Sequence, residues 1–262
     1  MTTRNILIDY EEYKIKVKIS ASTNFLIQQD MDRFGFFRTN KKKLNINSFI
    51  NYILPIMYKY RQNKDNKLEK EISNNLIKNC NINEFIDKLN KLYYDDISYH
   101  EETINLRISK SNIELFDKIF SNTKIKKSTY IRTLINQYSS FKLDEREFLC
   151  FNKEYHEIEK ALDKNIVNIS TREGEFNILP IEIITCPITS NIYVFGLYVE
   201  DSVLFIKSIK LCDIYKIKQT TDVANFAIND SIKKQIEEYF IDLQYLKNST
   251  KELGDVKNGI VR

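Results

Sequence analysis

Two short stretches of the chain alternate strictly between apolar and polar residues. Residues 13–20 read YKIKVKIS and residues 102–109 read ETINLRIS. A period of two predicts a strand with one apolar and one polar face. Each stretch ends Ile-Ser, and each is followed by the same order of patterns. After the first, Ile27, Met31 and Phe34 recur at helical spacing, behind Ser22 and Thr23 as expected caps. A basic connector follows, and then Ile50, Ile53, Leu54 and Met57 stripe a second helix behind Ser48. After the second strand, whose inner face is Ile104, Leu106 and Ile108, a helix carries Ile113, Phe116 and Phe120. A basic turn then leads to Ile131, Leu134, Ile135 and Tyr138 behind Ser128. Pro55 falls inside the first copy's second helix, where it removes a backbone donor and predicts a kink or an end.

Between the copies, residues 62–100 predict a helical connector, with Leu76, Ile77, Phe85, Ile86, Leu89 and Leu92 on its buried side. Beyond Leu143 the pattern changes. A helix over LDEREFLCFNKEYHEIEKAL precedes four strand-length apolar runs, NIVNIS, FNILPIEII, IYVFGLYV and VLFIKSIKL. Short strands set off by Gly, Pro and polar turns predict a small, strongly curved antiparallel sheet or barrel. Ile232, Ile236, Tyr239, Phe240, Leu243 and Leu246 then stripe a last helix starting near Asn229 or Asp230, and the tail after Lys247 reads as polar and frayed. The fold class is α+β. Its expected divisions are a first strand-helix-helix unit over 1–61, the connector over 62–100, a second unit over 101–142, a barrel with lead-in helix over 143–225, and a terminal helix and tail over 226–262.

Composition narrows the function. A chain of 262 residues that is 42% hydrophobic and 29% charged has the makings of a soluble folded protein. The net charge of only +4 means that any nucleic-acid surface must come from local clustering of Lys and Arg. Cys80, Cys150, Cys186 and Cys212 are far apart without CxxC spacing, and MTTRNILIDY does not read as a signal peptide. Reduced thiols and a cytoplasmic location are expected. No apolar run is long enough to span a bilayer.

A strand and two amphipathic helices cannot bury an aliphatic face alone, but two such units can if their strands pair. On these residues the amino-terminal half resembles the ribbon-helix-helix family, with both units in one chain as a pseudo-dimer. The resemblance implies that the outward strand residues read base edges in the major groove. Those are Lys14, Lys16 and Lys18 in the first copy and Thr103, Asn105 and Arg107 in the second. It also implies that the starts of the second helices, near Asn47–Ser48 and Lys127–Ser128, hold phosphates. Lys41, Lys42, Lys43, Lys124, Lys126 and Arg132 add sequence-independent attraction.

Residues 145–220 resemble a WYL domain, a small Sm-like barrel. Ile192-Tyr193-Val194 stands for the Trp-Tyr-Leu run, and FIKSIKLCDI for the family's arginine-bearing strand. The resemblance implies a ligand or nucleotide site at Tyr193, Lys207 and Lys210, with lysines in place of two arginines. It also places Asn177 where an Arg is usual, with Arg172 some way off. The joined order is similar to the WYL accessory proteins of type VI-D CRISPR systems. That implies single-stranded RNA binding, homodimerisation and action on an RNA-guided ribonuclease, whereas wider relatives are DNA-binding transcription regulators. Homodimerisation through the terminal helix or the barrel is the matching expectation. No catalytic residue, metal or cofactor is expected. The acidic run Asp95, Asp96, His100, Glu101 and Glu102 reads as a solvated linker, and five glycines assemble no phosphate loop.

Overall fold

The structure, a computed structural model, describes residues 14–38, 43–75, 102–120, 125–220, 229–241, 249–257 and 260–261. It divides between Phe141 and Lys142 into two compact units. The expected connector positions from Leu76 to Leu92, Cys80, the acidic run from Asp95 to Glu101, and Lys41, Lys42 and Lys124 lie outside the described residues.

The amino-terminal unit contains β1 (Lys14–Ile19), α1 (Ala21–Arg33), α2 (Ile46–Asn75), β2 (Glu102–Arg107), α3 (Lys110–Phe120) and α4 (Lys127–Ser140). β1 and β2 pair antiparallel, setting Ile15 against Leu106 and Val17 against Ile104. Val17, Ile19, Ile104 and Leu106 are buried against the helices, each burial stabilising the unit by about 1.5–3 kcal/mol. Phe49 of α2 sits at the centre of the helical layer, edge-on to Phe36 and Tyr138. The Tyr138 hydroxyl donates to the fully buried Asp30 carboxylate over 2.7 Å, so the apolar layer carries one satisfied polar tie.

Three local expectations are corrected. α1 starts two to three residues early, because Ser20, not Ser22 or Thr23, caps it by accepting from the Thr23 amide at 3.1 Å. α2 starts at Ile46, with the Asn45 carboxamide accepting from the Ser48 amide at 3.2 Å. α4 starts at Lys127 behind Lys126, which makes no side-chain cap bond. Ser48 and Ser128 are thus inside their helices. Most informative is Pro55, which neither ends nor limits α2; the helix runs on through residues 62–75. The ring lies on the exposed side. The carbonyl that loses its partner four residues earlier, that of Asn51, accepts instead from Asn112 Nδ2 of α3 at 2.8 Å.

The carboxy-terminal unit opens with α5 (Leu143–Cys150) and α6 (Asn152–Glu159). It continues with β3 (Val167–Thr171), β4 (Glu175–Thr185), β5 (Ile192–Glu200), β6 (Val203–Lys210), a 3-10 turn at Leu211–Asp213, and β7 (Ile214–Gln219). α7 (Asp230–Ile241), β8 (Ser249–Lys257) and β9 (Ile260–Val261) follow. The sheet is antiparallel in the order β7-β3-β4-β5-β6-β8-β9. Among the described residues it does not close into the expected barrel, since β7 and β9 are opposite edges. The supposed frayed tail supplies two of the strands: β8 pairs with β6 along Ser249–Asp255. Of the stripe offered above as a dimer surface, Leu243 and Leu246 lie outside the described residues, and the four positions on α7 are covered within their own unit. Ile232 and Tyr239 are buried with Phe195, Leu197, Leu204, Ile206 and Leu253, and Ile236 and Phe240 pack against them. Asn229 caps this helix, accepting from the Ile232 amide at 2.9 Å. The lead-in helix is fixed by Glu147, fully buried, whose carboxylate accepts from the Ile192 amide at 3.2 Å and the Cys212 amide at 3.3 Å.

Candidate nucleic-acid interface

The antiparallel register decides what the ribbon offers. Lys14 lies opposite Arg107, Lys16 opposite Asn105, and Lys18 opposite Thr103. Directly paired residues share a face, so these six side chains form one surface, and all six are exposed. Four are cationic and none is acidic. Glu102 falls in the opposite column, across from Ile19, and accepts a hydrogen bond from Asn24 Nδ2. The charge is segregated along the chain as well. Residues 1–141 hold 24 Lys and Arg against 16 Asp and Glu, whereas residues 142–262 hold 16 against 20. Anion attraction therefore belongs to the unit that carries the ribbon.

The other expected cations are placed less uniformly. Lys43 and Lys126 are exposed. Beside Lys43, Phe37 bridges to Leu44, and the Lys43 carbonyl accepts from the Arg38 amide at 2.8 Å. Lys127 lies over the Phe120 ring at 5.6 Å, and Ser128 and Arg132 are half-buried on α4. The two helix starts proposed to hold phosphates differ. At α2 the Ser48 amide is already taken by Asn45, while α4 has no side-chain cap.

One group of side chains escaped sequence reasoning because its members come from four places. Asn51, buried, spends its whole carboxamide at the end of β2. Nδ2 donates to the Arg107 carbonyl at 2.7 Å and to the Asn47 carbonyl at 2.8 Å. Oδ1 accepts from the Ser109 amide at 2.8 Å and from Asn112 Nδ2 at 3.0 Å. Asn47 Oδ1 accepts from the Arg107 amide at 2.7 Å. Both backbone groups of Arg107 are thus held by the first turns of α2. A run of Asn at i and i+4 near a helix start was the only sequence signal, and the chain's abundance of Asn hid it.

In the second unit, Tyr193, Lys207 and Lys210 do not form a single site. Tyr193 and Lys210 face each other across β5 and β6, but Lys207 pairs with Gly196 and stands three residues from Lys210, on the other side of the sheet. Tyr193 is fully buried, and desolvation pushes its phenol pKa up, with smaller contributions from the nearby Cys186, Cys212 and Glu147. The Lys207 ammonium is engaged within the unit. It lies 3.3 Å from Glu173 Oε2 and 3.4 Å from Thr250 Oγ1, and 4.1 Å over the Phe176 ring. Arg172 donates from Nε to the Tyr215 hydroxyl at 2.6 Å and lies 3.5 Å from Asp213. Asn177 accepts from Asn168 Nδ2 at 2.9 Å. Among the described residues there is no cluster of His, Cys, Asp or Glu suited to a metal ion, and no helix long and apolar enough to cross a membrane.

No protein-family model and no curated protein matches the chain. Among solved structures it is similar to a crystal structure described as that of a CRISPR Cas-related protein, at a TM-score of 0.56 and 16% identity. A CRISPR Cas-related protein shares this fold. The likeness takes in 82% of this chain and 65% of that one.

Proposed function

We propose that the protein is a non-enzymatic, nucleic-acid-binding regulator whose β1–β2 ribbon enters the major groove of a duplex. The observation that carries this reading is the exposed face on which Lys14, Lys16 and Lys18 stand opposite Arg107, Asn105 and Thr103. Arg pairs bidentately with guanine O6 and N7, Asn with adenine N6 and N7, and the lysines add phosphate attraction. In this reading the amino-terminal unit is a tandem ribbon-helix-helix. The carboxy-terminal unit is a WYL-like sheet, and it senses a ligand rather than holding the nucleic acid.

A second reading is favoured by the CRISPR Cas-related neighbour. The chain would then be an accessory that binds single-stranded RNA and modulates a CRISPR RNA-guided ribonuclease, with the ribbon as part of a basic surface and no base readout.

Fluorescence anisotropy with a randomised duplex and a single-stranded RNA of equal length, across 50–200 mM salt, separates the two. The first reading expects duplex selection of preferred sequences, lost on Arg107→Ala or Asn105→Ala, while Lys16→Ala weakens all duplexes alike. Tight single-strand binding that ignores Arg107 and Asn105 replaces it with the second. Salt-independent behaviour with no retention on heparin overturns both.

A further inference from the structure

We propose that Asn47 and Asn51 are positioning residues that make the Arg107 end of the ribbon its sequence-reading end, so that the protein recognises an unsymmetrical duplex site in one orientation. The inference rests on the duplex-binding reading above and adds which part of the ribbon discriminates.

The ribbon has two ends of unlike construction. At one, Arg107 stands opposite Lys14. Its amide donates to Asn47 Oδ1 at 2.7 Å and its carbonyl accepts from Asn51 Nδ2 at 2.7 Å. An exposed strand terminus held on both backbone groups keeps its Cα–Cβ vector fixed relative to α2. Asn51 is itself locked, because both its donors and both its acceptor positions are used and it is 5% exposed. Bidentate base pairing needs this kind of constraint, since a planar fork gains its specificity from angle as well as distance. At the other end Lys18 stands opposite Thr103. The helix that packs there, α4, begins Lys127-Ser128-Thr129 and offers no carboxamide in its first turn. A lysine is a point charge on a flexible stem and suits phosphate better than a base edge. Asn105, next to Arg107 on the outward face, extends the reading end by one base. The two halves of the ribbon thus supply different chemistry, and a palindromic site would present the same bases to unlike residues.

The test begins by selecting preferred duplexes for the full chain and measuring the ratio of preferred to scrambled affinity. A non-palindromic preference is expected, with its strongest positions together at one end of the contacted site. Asn47→Ala should lower that ratio about fivefold to tenfold, the worth of one hydrogen bond, while scrambled-duplex affinity and the thermal midpoint change little. Asn47→Asp keeps an acceptor on the Arg107 amide and should restore the ratio. Lys18→Ala should weaken both duplexes equally and reduce the salt slope by about one. If selection yields a palindrome, or if Asn47→Ala leaves the ratio intact in a chain that still discriminates, the polarity is wrong and duplex binding stands. If the parent chain binds no duplex, the functional reading fails and this inference with it.

Discussion

Pro55 and Asn112 make a prediction that can be worked through in numbers. In a regular helix the residue 55 amide would donate to the Asn51 carbonyl, but proline has none. Asn112 Nδ2 supplies the missing donor at 2.8 Å, and the same amino group also reaches Asn51 Oδ1 at 3.0 Å. Both asparagines are buried. Asn112→Ala leaves the Asn51 carbonyl without a donor inside the protein, which costs about 1–3 kcal/mol beyond the lost bonds. With Pro55→Ala in the background, residue 55 regains its amide and the helix satisfies that carbonyl unaided. Asn112→Ala should then cost less by the same amount. The double-mutant cycle therefore carries a coupling of about 1–3 kcal/mol, or roughly a 5- to 150-fold difference in opening equilibrium. Amide hydrogen exchange of Val17, Ile104 and Leu106 reads it, because ribbon amides exchange only when this unit opens. Effects that add to within about 0.5 kcal/mol would refute the substitution of donors.

Further predictions concern the carboxy-terminal unit. A Cβ on Gly196 would stand 2.5 Å from Ile178 Cδ1 and 2.9 Å from Ile178 Cβ, so Gly196→Ala should destabilise by about 1–3 kcal/mol in urea denaturation. An unchanged midpoint for Gly196→Ala would show that the two strands part freely. Glu147→Gln turns one acceptor of two buried amides into a donor and should cost about 1–3 kcal/mol. The exchange protection lost should centre on Ile192 and Cys212. Tyr193 gives a pH dependence: burial raises its phenol pKa, so the folded chain keeps a proton that the unfolded chain loses near pH 10. Stability complete below that pH should fall as pH rises toward the folded value, by up to about 1.4 kcal/mol per pH unit. Tyr193→Phe should flatten the fall between pH 10 and 11, and an identical slope in both chains would mean that Tyr193 is not its source.

Where a pattern was local, the sequence displayed it. The alternation in KIKVKI and ETINLR stated which residues face out, and the antiparallel register sets the apolar residues of both strands side by side on the face that the helices cover. Helical stripes such as Ile131, Leu134, Ile135 and Tyr138 were legible for the same reason. What escaped depended on partners distant in sequence. Pro55 reads as a helix breaker unless Asn112 is known to stand beside it, 57 positions on. STKELGDVK has little β-propensity and became a strand because β6 presents it an open edge. Ser48 and Ser128 looked like caps, yet Asn45 and Ser20 show that a cap is settled by where the backbone turns. Lys207 and Lys210 were grouped by the resemblance of FIKSIKLCDI to an arginine-bearing WYL strand, and a three-residue step along β6 puts them on opposite faces.

The pairing of β1 with β2 also has a consequence in time. Ile19 waits for Glu102, 83 residues later. At about 5–20 residues per second of synthesis that is roughly 4 to 17 seconds in which β1 has no partner strand. An unpaired alternating strand invites pairing with copies on neighbouring ribosomes, and charged lysines along it are the usual deterrent. β2 emerges with its partner already made, and its outward face holds one Arg with Thr and Asn between. The lysine-rich half of the ribbon is the half that must survive alone, so selection for patience, as well as for anion binding, accounts for why the two strands differ.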